Sequence, residues 1–136
     1  MAFRETSVDL QLRWSDFDML GHLNQAVYHQ LLEEARAALT VGAGPDFPWV
    51  LARVELDYLA EVRPEHGPLT VHTQVVEIGR SKFSLAHEIT RATGEVAARG
   101  TSVIVAWDID ARRSRPLTPE ERRAFGADDA EGASRG

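Results

Sequence analysis

Only one long stretch of this 136-residue chain spaces its apolar side chains as a helix does; nearly every other apolar stretch alternates. From Gln25 the positions Tyr28, Leu31, Leu32, Ala35, Ala38 and Leu39 recur three and four apart, which places them on one buried helix face. Asn24 stands where an N-cap is wanted, Leu23 and Tyr28 occupy the two positions of a hydrophobic staple, and Gly42 sits where a left-handed C-terminal residue belongs. The spacing predicts a helix over residues 25 to 41. Ala26, Ala35, Ala37 and Ala38 let other backbone approach it closely, so a central helix wrapped by the rest of the chain is expected.

Period-two stretches flank that helix. Residues 6 to 14 set Val8, Leu10, Leu12 and Trp14 against Ser7, Asp9, Gln11 and Arg13, the pattern of a half-buried strand. After the helix, Val50, Ala52, Val54, Leu56 and Tyr58 share one face of a second strand. Residues 69 to 78, 83 to 91 and 95 to 107 read as three more, and the short connections Gly79 to Lys82 and Thr93-Gly94 imply antiparallel hairpins. Thr118, Pro119 and Glu121 form a capping box with proline at the first helical position, predicting a short helix through Phe125. Residues 126 to 136 offer nothing to bury, so one domain over 1 to 125 with a disordered tail is expected. The fold class is α+β: an antiparallel sheet of about five strands with one long helix on one face. A sheet covered on one face leaves an edge or a face for self-association.

Composition narrows the function. A formal net charge of −6 offers no basic excess to neutralise a phosphate backbone, which argues against nucleic acid and anionic membrane as partners. No cysteine is present, excluding disulfides and thiolate metal sites. No apolar run reaches the ~20 residues of a membrane helix, and Arg4, Glu5 and Asp9 break any signal-peptide pattern, so a cytoplasmic location is expected.

The segment Arg13-Trp14-Ser15-Asp16-Phe17-Asp18-Met19-Leu20-Gly21-His22-Leu23-Asn24 interrupts both periods directly before the helix. A helix N-terminus presents unpaired N–H groups and a partial positive charge, suited to a carbonyl oxygen becoming an oxyanion. A carboxylate beside it can attack that carbonyl or activate water, which together are the parts for acyl transfer to water. Asp16 and Asp18 also suit Asx turns, Asn24 is most simply the cap, and Tyr28 belongs to the apolar face. Glu33 is a second candidate base, with Arg36 three residues on as an ion-pair partner. The spacing of Asp16, Asp18 and His22 fits no established metal-ligand pattern, and Gly79-Arg80-Ser81-Lys82-Phe83 lacks the final glycine of a nucleophile elbow.

Asp16-x-Asp18-x-x-Gly21-His22-x-Asn24, followed by Tyr28 and by Glu33-x-x-Arg36, resembles the signature of the hotdog-fold acyl-CoA thioesterases, in the 4-hydroxybenzoyl-CoA thioesterase-like branch. The resemblance covers residues 5 to 122. It implies a sheet wrapped around the long helix, a homodimer or homotetramer, and active sites at the dimer interface. It also implies that Asp16 is the catalytic carboxylate, that the amides around His22, Leu23 and Asn24 polarise the carbonyl, and that Gly21 lets backbone approach the thioester. Gln25 departs from the second asparagine many relatives carry. The implied substrate is an acyl-CoA or acyl carrier protein thioester, with coenzyme A entering as part of the substrate and no separate cofactor or metal. Arg80, Ser81 and Lys82 lead as contacts for its phosphates, because that turn offers amides and charge together. The alternatives are a non-catalytic acyl-CoA binding domain and a hotdog hydratase or dehydratase.

Overall fold

The computed structural model describes residues 3–44 and 47–127. Strand β1 (Glu5–Leu10) is followed by a 3₁₀ turn (Trp14–Asp16), helix α1 (Gln25–Thr40), and strands β2 (Trp49–Tyr58), β3 (Leu69–Ile78), β4 (Lys82–Thr90) and β5 (Val96–Asp108). A two-residue β6 (Arg113–Ser114) and a short α2 (Pro119–Ala124) close the described chain. The main sheet runs β1-β3-β4-β5-β2, every pair antiparallel, with β6 added to β5. α1 lies against its inner face, which is the hotdog arrangement that the resemblance implies. Among the described residues no helix is long and apolar enough to cross a membrane.

The helical period does what it predicts. Leu31, Leu32, Ala35 and Leu39 are buried against inward residues of the strands, among them Val71, Val75, Leu85 and Ile104. Each fully buried leucine stabilises the fold by roughly 2 kcal/mol. Asn24 caps the helix as expected, its Oδ1 accepting the N–H of Ala26 at 3.0 Å. The C-terminal expectation is corrected: the helix runs into a second 3₁₀ turn (Val41–Ala43), and the left-handed residue is Gly44 (φ 106°), not Gly42. A Cβ at Gly42 would meet only the flexible end of the Arg4 side chain, at 2.7 Å. At α2 the capping box forms, with Glu121 N–H donating to Thr118 Oγ1 at 3.1 Å and Thr118 N–H to Glu121 Oε1 at 2.8 Å.

Two strands differ from the alternation. β1 stops at Leu10 because its partner β3 begins at Leu69, the last residue to pair with it, so Trp14 is not on the inner face but 94% exposed in the following turn. In β2 the pairing jumps from Leu51–Ile104 to Arg53–Val103, leaving Ala52 as a bulge. A bulge swaps the face of everything beyond it. Val54, Leu56 and Tyr58 therefore share the inner face with Trp49 and Leu51, while Val50 pairs with outward Val105. Of the expected tail, Gly126 and Ala127 are described, and Ala127 is buried beside Phe125; residues 128–136 lie outside the described residues.

Candidate active site

The loop between β1 and α1 is built by its two aspartates. Asp18 Oδ1 accepts the N–H groups of Leu20 (2.9 Å) and His22 (3.1 Å), while Asp18 N–H donates to the carbonyl of His22 (2.9 Å). That closes an Asx-type turn through one of the two carboxylate oxygens. Gly21 supplies the left-handed residue this turn requires (φ 77°). Nothing of the protein lies within 4 Å of where its Cβ would stand, so backbone conformation is what demands glycine here. Phe17 and Leu23 pair across the loop, and the Asp16 carbonyl accepts the Asn24 N–H at 2.8 Å, tying the loop to the helix start.

Asp16 is the buried acid of the segment, only 3% exposed. Its Oδ2 accepts the Arg13 backbone N–H at 2.7 Å, and its Oδ1 accepts Nε (3.0 Å) and Nη2 (2.7 Å) of the Arg13 side chain. Burial pushes the carboxyl upward, but the hydrogen bonds and charge of Arg13 win and hold it below the usual carboxylate range. Asp16 is thus an ionised carboxylate at neutral pH.

The expected carbonyl-polarising amides are already in use. His22 N–H goes to Asp18 Oδ1, Leu23 N–H to the carbonyl of Val62 (2.8 Å), and Asn24 N–H to that of Asp16. Ala26 and Val27 bond to Asn24. Gln25, the first helical residue, keeps its N–H without an acceptor among the described residues.

Two open cavities flank the first turns of α1. One, of about 320 Å³, is lined by Asp18, His22, Gln25, Tyr28, Tyr58 and Glu61. Tyr28 packs edge-on against Tyr58 with centroids 4.9 Å apart, and His22 Nε2 lies 3.3 Å from Glu61 Oε1. The other, of about 370 Å³, holds Asp16 with Gln11, Arg13, Gln30 and Glu34 over apolar Val27 and Leu31. Asp16 and the helix-start residues therefore open on different sides of α1.

The remaining sequence candidates sit elsewhere. Exposed Glu33 lines neither of these cavities and pairs with Arg36 at 3.2 Å. Arg80, Ser81 and Lys82 form the β3–β4 turn beside Ile78 and Phe83, which pack with Leu39 at the far end of α1. A 16-residue helix spans about 24 Å, so within one chain that turn does not share a site with Asp16. Among the described residues no group of three His, Asp or Glu could hold a metal ion.

Sequence reasoning missed one polar network. Arg36, 2% exposed, donates from Nη1 to Ser102 Oγ at 3.0 Å, and Ser102 Oγ lies 2.7 Å from His87 Nε2, whose Nδ1 meets Thr73 Oγ1 at 3.0 Å. The signal was present. Arg36 continues the buried helix face after Leu32, and His87 takes an inward position between Leu85 and Ile89.

The comparisons agree with this architecture. A family profile described as the thioesterase-like superfamily matches residues 12–125. The chain is 29% identical over 119 residues to an L-carnitine dehydrogenase/betainyl-CoA thioesterase of Agrobacterium fabrum; that match takes in 82% of this chain and only 24% of the relative's length. Among solved structures, a thioesterase from Thermus thermophilus complexed with coenzyme A and Zn superposes with a TM-score of 0.80 at 32% identity, over 88% of this chain and 90% of that one. A mutant of 4-hydroxybenzoyl-CoA thioesterase complexed with 4-hydroxybenzoyl-CoA gives a TM-score of 0.80 at 16% identity, over 90% and 99% of the two chains, which speaks for the fold alone.

Proposed function

The chain belongs to the thioesterase-like superfamily, and from that premise we propose that it hydrolyses acyl-CoA thioesters, with Asp16 as the working carboxylate. The observation that carries this reading is a buried, ionised aspartate placed by backbone hydrogen bonds at the start of a long helix whose first N–H is unspent. The positive end of α1 favours negative charge on a carbonyl oxygen, and the Gln25 N–H is the donor available to it. Water attacks the thioester carbon while its proton passes to Asp16, or the carboxylate attacks directly and the mixed anhydride left on Asp16 once coenzyme A has departed is hydrolysed by a water. The tetrahedral intermediate then expels coenzyme A as thiolate, which takes up a proton. Coenzyme A enters with the substrate, and the reaction takes its proton acceptor and carbonyl donor from the chain itself.

Because Asp16 and Gln25 line different cavities, the proposal includes a second copy that completes the site. Around the loop the chain exposes Trp14, Met19, Leu20, Tyr58 and Leu59, and β2 is an edge strand ten residues long. Exposed apolar side chains beside an unpaired edge are what a self-complementary interface uses.

The test is thiol release from a panel of short, long and aromatic acyl-CoAs by wild type and Asp16→Asn, with water addition to an enoyl-CoA followed in parallel. Turnover that collapses in the near-isosteric variant, with fold and acyl-CoA binding kept, supports the reading. Binding without turnover in the wild type points to a binding domain, and enoyl-CoA hydration to a hydratase.

A further inference from the structure

Two walls enclose the cavity at the start of α1: the helix supplies Gln25 and Tyr28, while the end of β2 and the segment after it supply Tyr58 and Glu61. We propose that this cavity recognises a short acyl group bearing a quaternary ammonium, seated against the Tyr28–Tyr58 corner with Glu61 as its counter-charge. The inference rests on the acyl-CoA thioesterase reading and is independent of which carboxylate reacts.

Depth sets the length of the group. The cavity of about 320 Å³ is floored by Leu23 and Val62, both buried members of the core, so a long alkyl chain would have to displace packed side chains. The aromatic corner sets its chemistry. The Tyr28 and Tyr58 rings meet at 84° with centroids 4.9 Å apart, which gives the site two perpendicular aromatic walls. A ring face attracts a cation through its quadrupole, and a quaternary ammonium, which has no N–H to donate, suits such walls. Charge points the same way. Asp18 and Glu61 face the cavity, and among the described residues His22 is the only basic side chain lining it, already 3.3 Å from Glu61. Asp18 Oδ2 accepts no hydrogen bond from the described residues. A neutral aryl or alkyl group would take these carboxylates out of water without compensation, and an anionic one would add repulsion; a cationic group offsets what it desolvates. The positive end of α1 suits the thioester oxygen at the Gln25 N–H, so a cationic substituent belongs on the wall that α1 does not supply, where Tyr58 and Glu61 stand.

The experiment uses pairs matched in shape and different in charge. Trimethylammonioacetyl-CoA and its neutral isostere tert-butylacetyl-CoA are compared by kcat/KM, with benzoyl-CoA and succinyl-CoA alongside. The trimethylammonioethyl and tert-butylethyl thioethers of coenzyme A, which cannot be hydrolysed, are compared by Kd in calorimetry. Wild type should favour the cationic member of each pair at least about tenfold, and succinyl-CoA should be the poorest substrate. Glu61→Gln and Tyr58→Leu should each shrink that ratio at least about threefold, whereas Tyr58→Phe, which keeps the ring face, should hold it. Both side chains are half-exposed, so neither change opens the core. Equal or reversed preference overturns the proposal, as do failure of both thioethers to bind, benzoyl-CoA as the best substrate, or a ratio that Glu61→Gln and Tyr58→Leu both leave unmoved. Thioethers that bind with the cationic preference while no acyl-CoA is hydrolysed would sink the thioesterase reading and leave this inference standing; hydrolysis with no preference between the isosteres does the reverse.

Discussion

Inside the sheet, His87 Nε2 and Ser102 Oγ stand 2.7 Å apart, and the same hydroxyl accepts a hydrogen bond from the buried Arg36 guanidinium. One serine thus joins a permanent cation to a titratable ring. Burial, and then the charge of Arg36, depress the His87 pKa to about 4.

The sign of the pH effect follows. His87 is neutral in the folded protein over a range where the unfolded chain is protonated, so its contribution is complete above the ordinary histidine pKa of 6.5 and is lost as pH falls toward about 4. The full span is on the order of 3 kcal/mol. Urea unfolding of wild type and His87→Gln at pH 7 and pH 4.5 should show a steeper acid loss in the wild type; parallel losses would rule out the assignment.

Removing the shared hydroxyl should be costly on its own. Ser102→Ala takes away the partner of Arg36 Nη1 and of His87 Nε2 together, in a place water does not reach. Two stranded polar atoms predict a loss of about 2 to 4 kcal/mol, read by denaturant midpoint at pH 7. A loss below about 1 kcal/mol would mean that water enters to replace the hydroxyl.

Two glycines make a contrasting pair. A Cβ at Gly100 would stand 2.1 Å from the Glu55 carbonyl oxygen, part of the β2 backbone, whereas at Gly42 it would meet only the end of the Arg4 side chain. Gly100→Ala should therefore cost upwards of about 3 kcal/mol or prevent folding, and Gly42→Ala about 1 kcal/mol or less. Thermal melts of the two variants side by side decide it.

The two candidate bases should separate in kinetics. Asp16→Asn should lower kcat by at least about a hundredfold. Glu33→Gln should leave kcat within a few-fold and cost about 1 kcal/mol of stability, because Glu33 partners Arg36 and lines neither cavity beside the helix start. The reverse ranking would move the chemistry to the helix.

Assembly gives a last check. If a second copy completes the site, wild type should run as a dimer or larger in light scattering, and Arg53→Pro on the β2 edge should give a monomer without activity. An active monomer would place the whole site within one chain.

Much of the fold was legible because helix and strand periods are local. The spacing from Tyr28 to Leu39, the Asn24 cap and the Thr118 capping box each depend on residues within a few positions, and each stands in the structure as read. The Asp18 turn was readable for the same reason. Trp14 and the β2 alternation were misread because alternation carries no information about where a partner strand ends or where a bulge falls.

The sequence by itself determined the long helix and its cap, the short capped helix and the family signature, since all of these lie in short runs whose geometry the backbone imposes. Only the tertiary structure decided which amide at the helix start is unspent, because the acceptor that takes Leu23 N–H is the carbonyl of Val62 on another segment. It also decided that Arg36 is buried, on a serine 66 residues away, and that the Arg80–Lys82 turn lies at the far end of α1 from Asp16. A hydrogen bond or a shared cavity requires two groups within a few ångströms, and which distant segments come that close is fixed by the packing of sheet on helix.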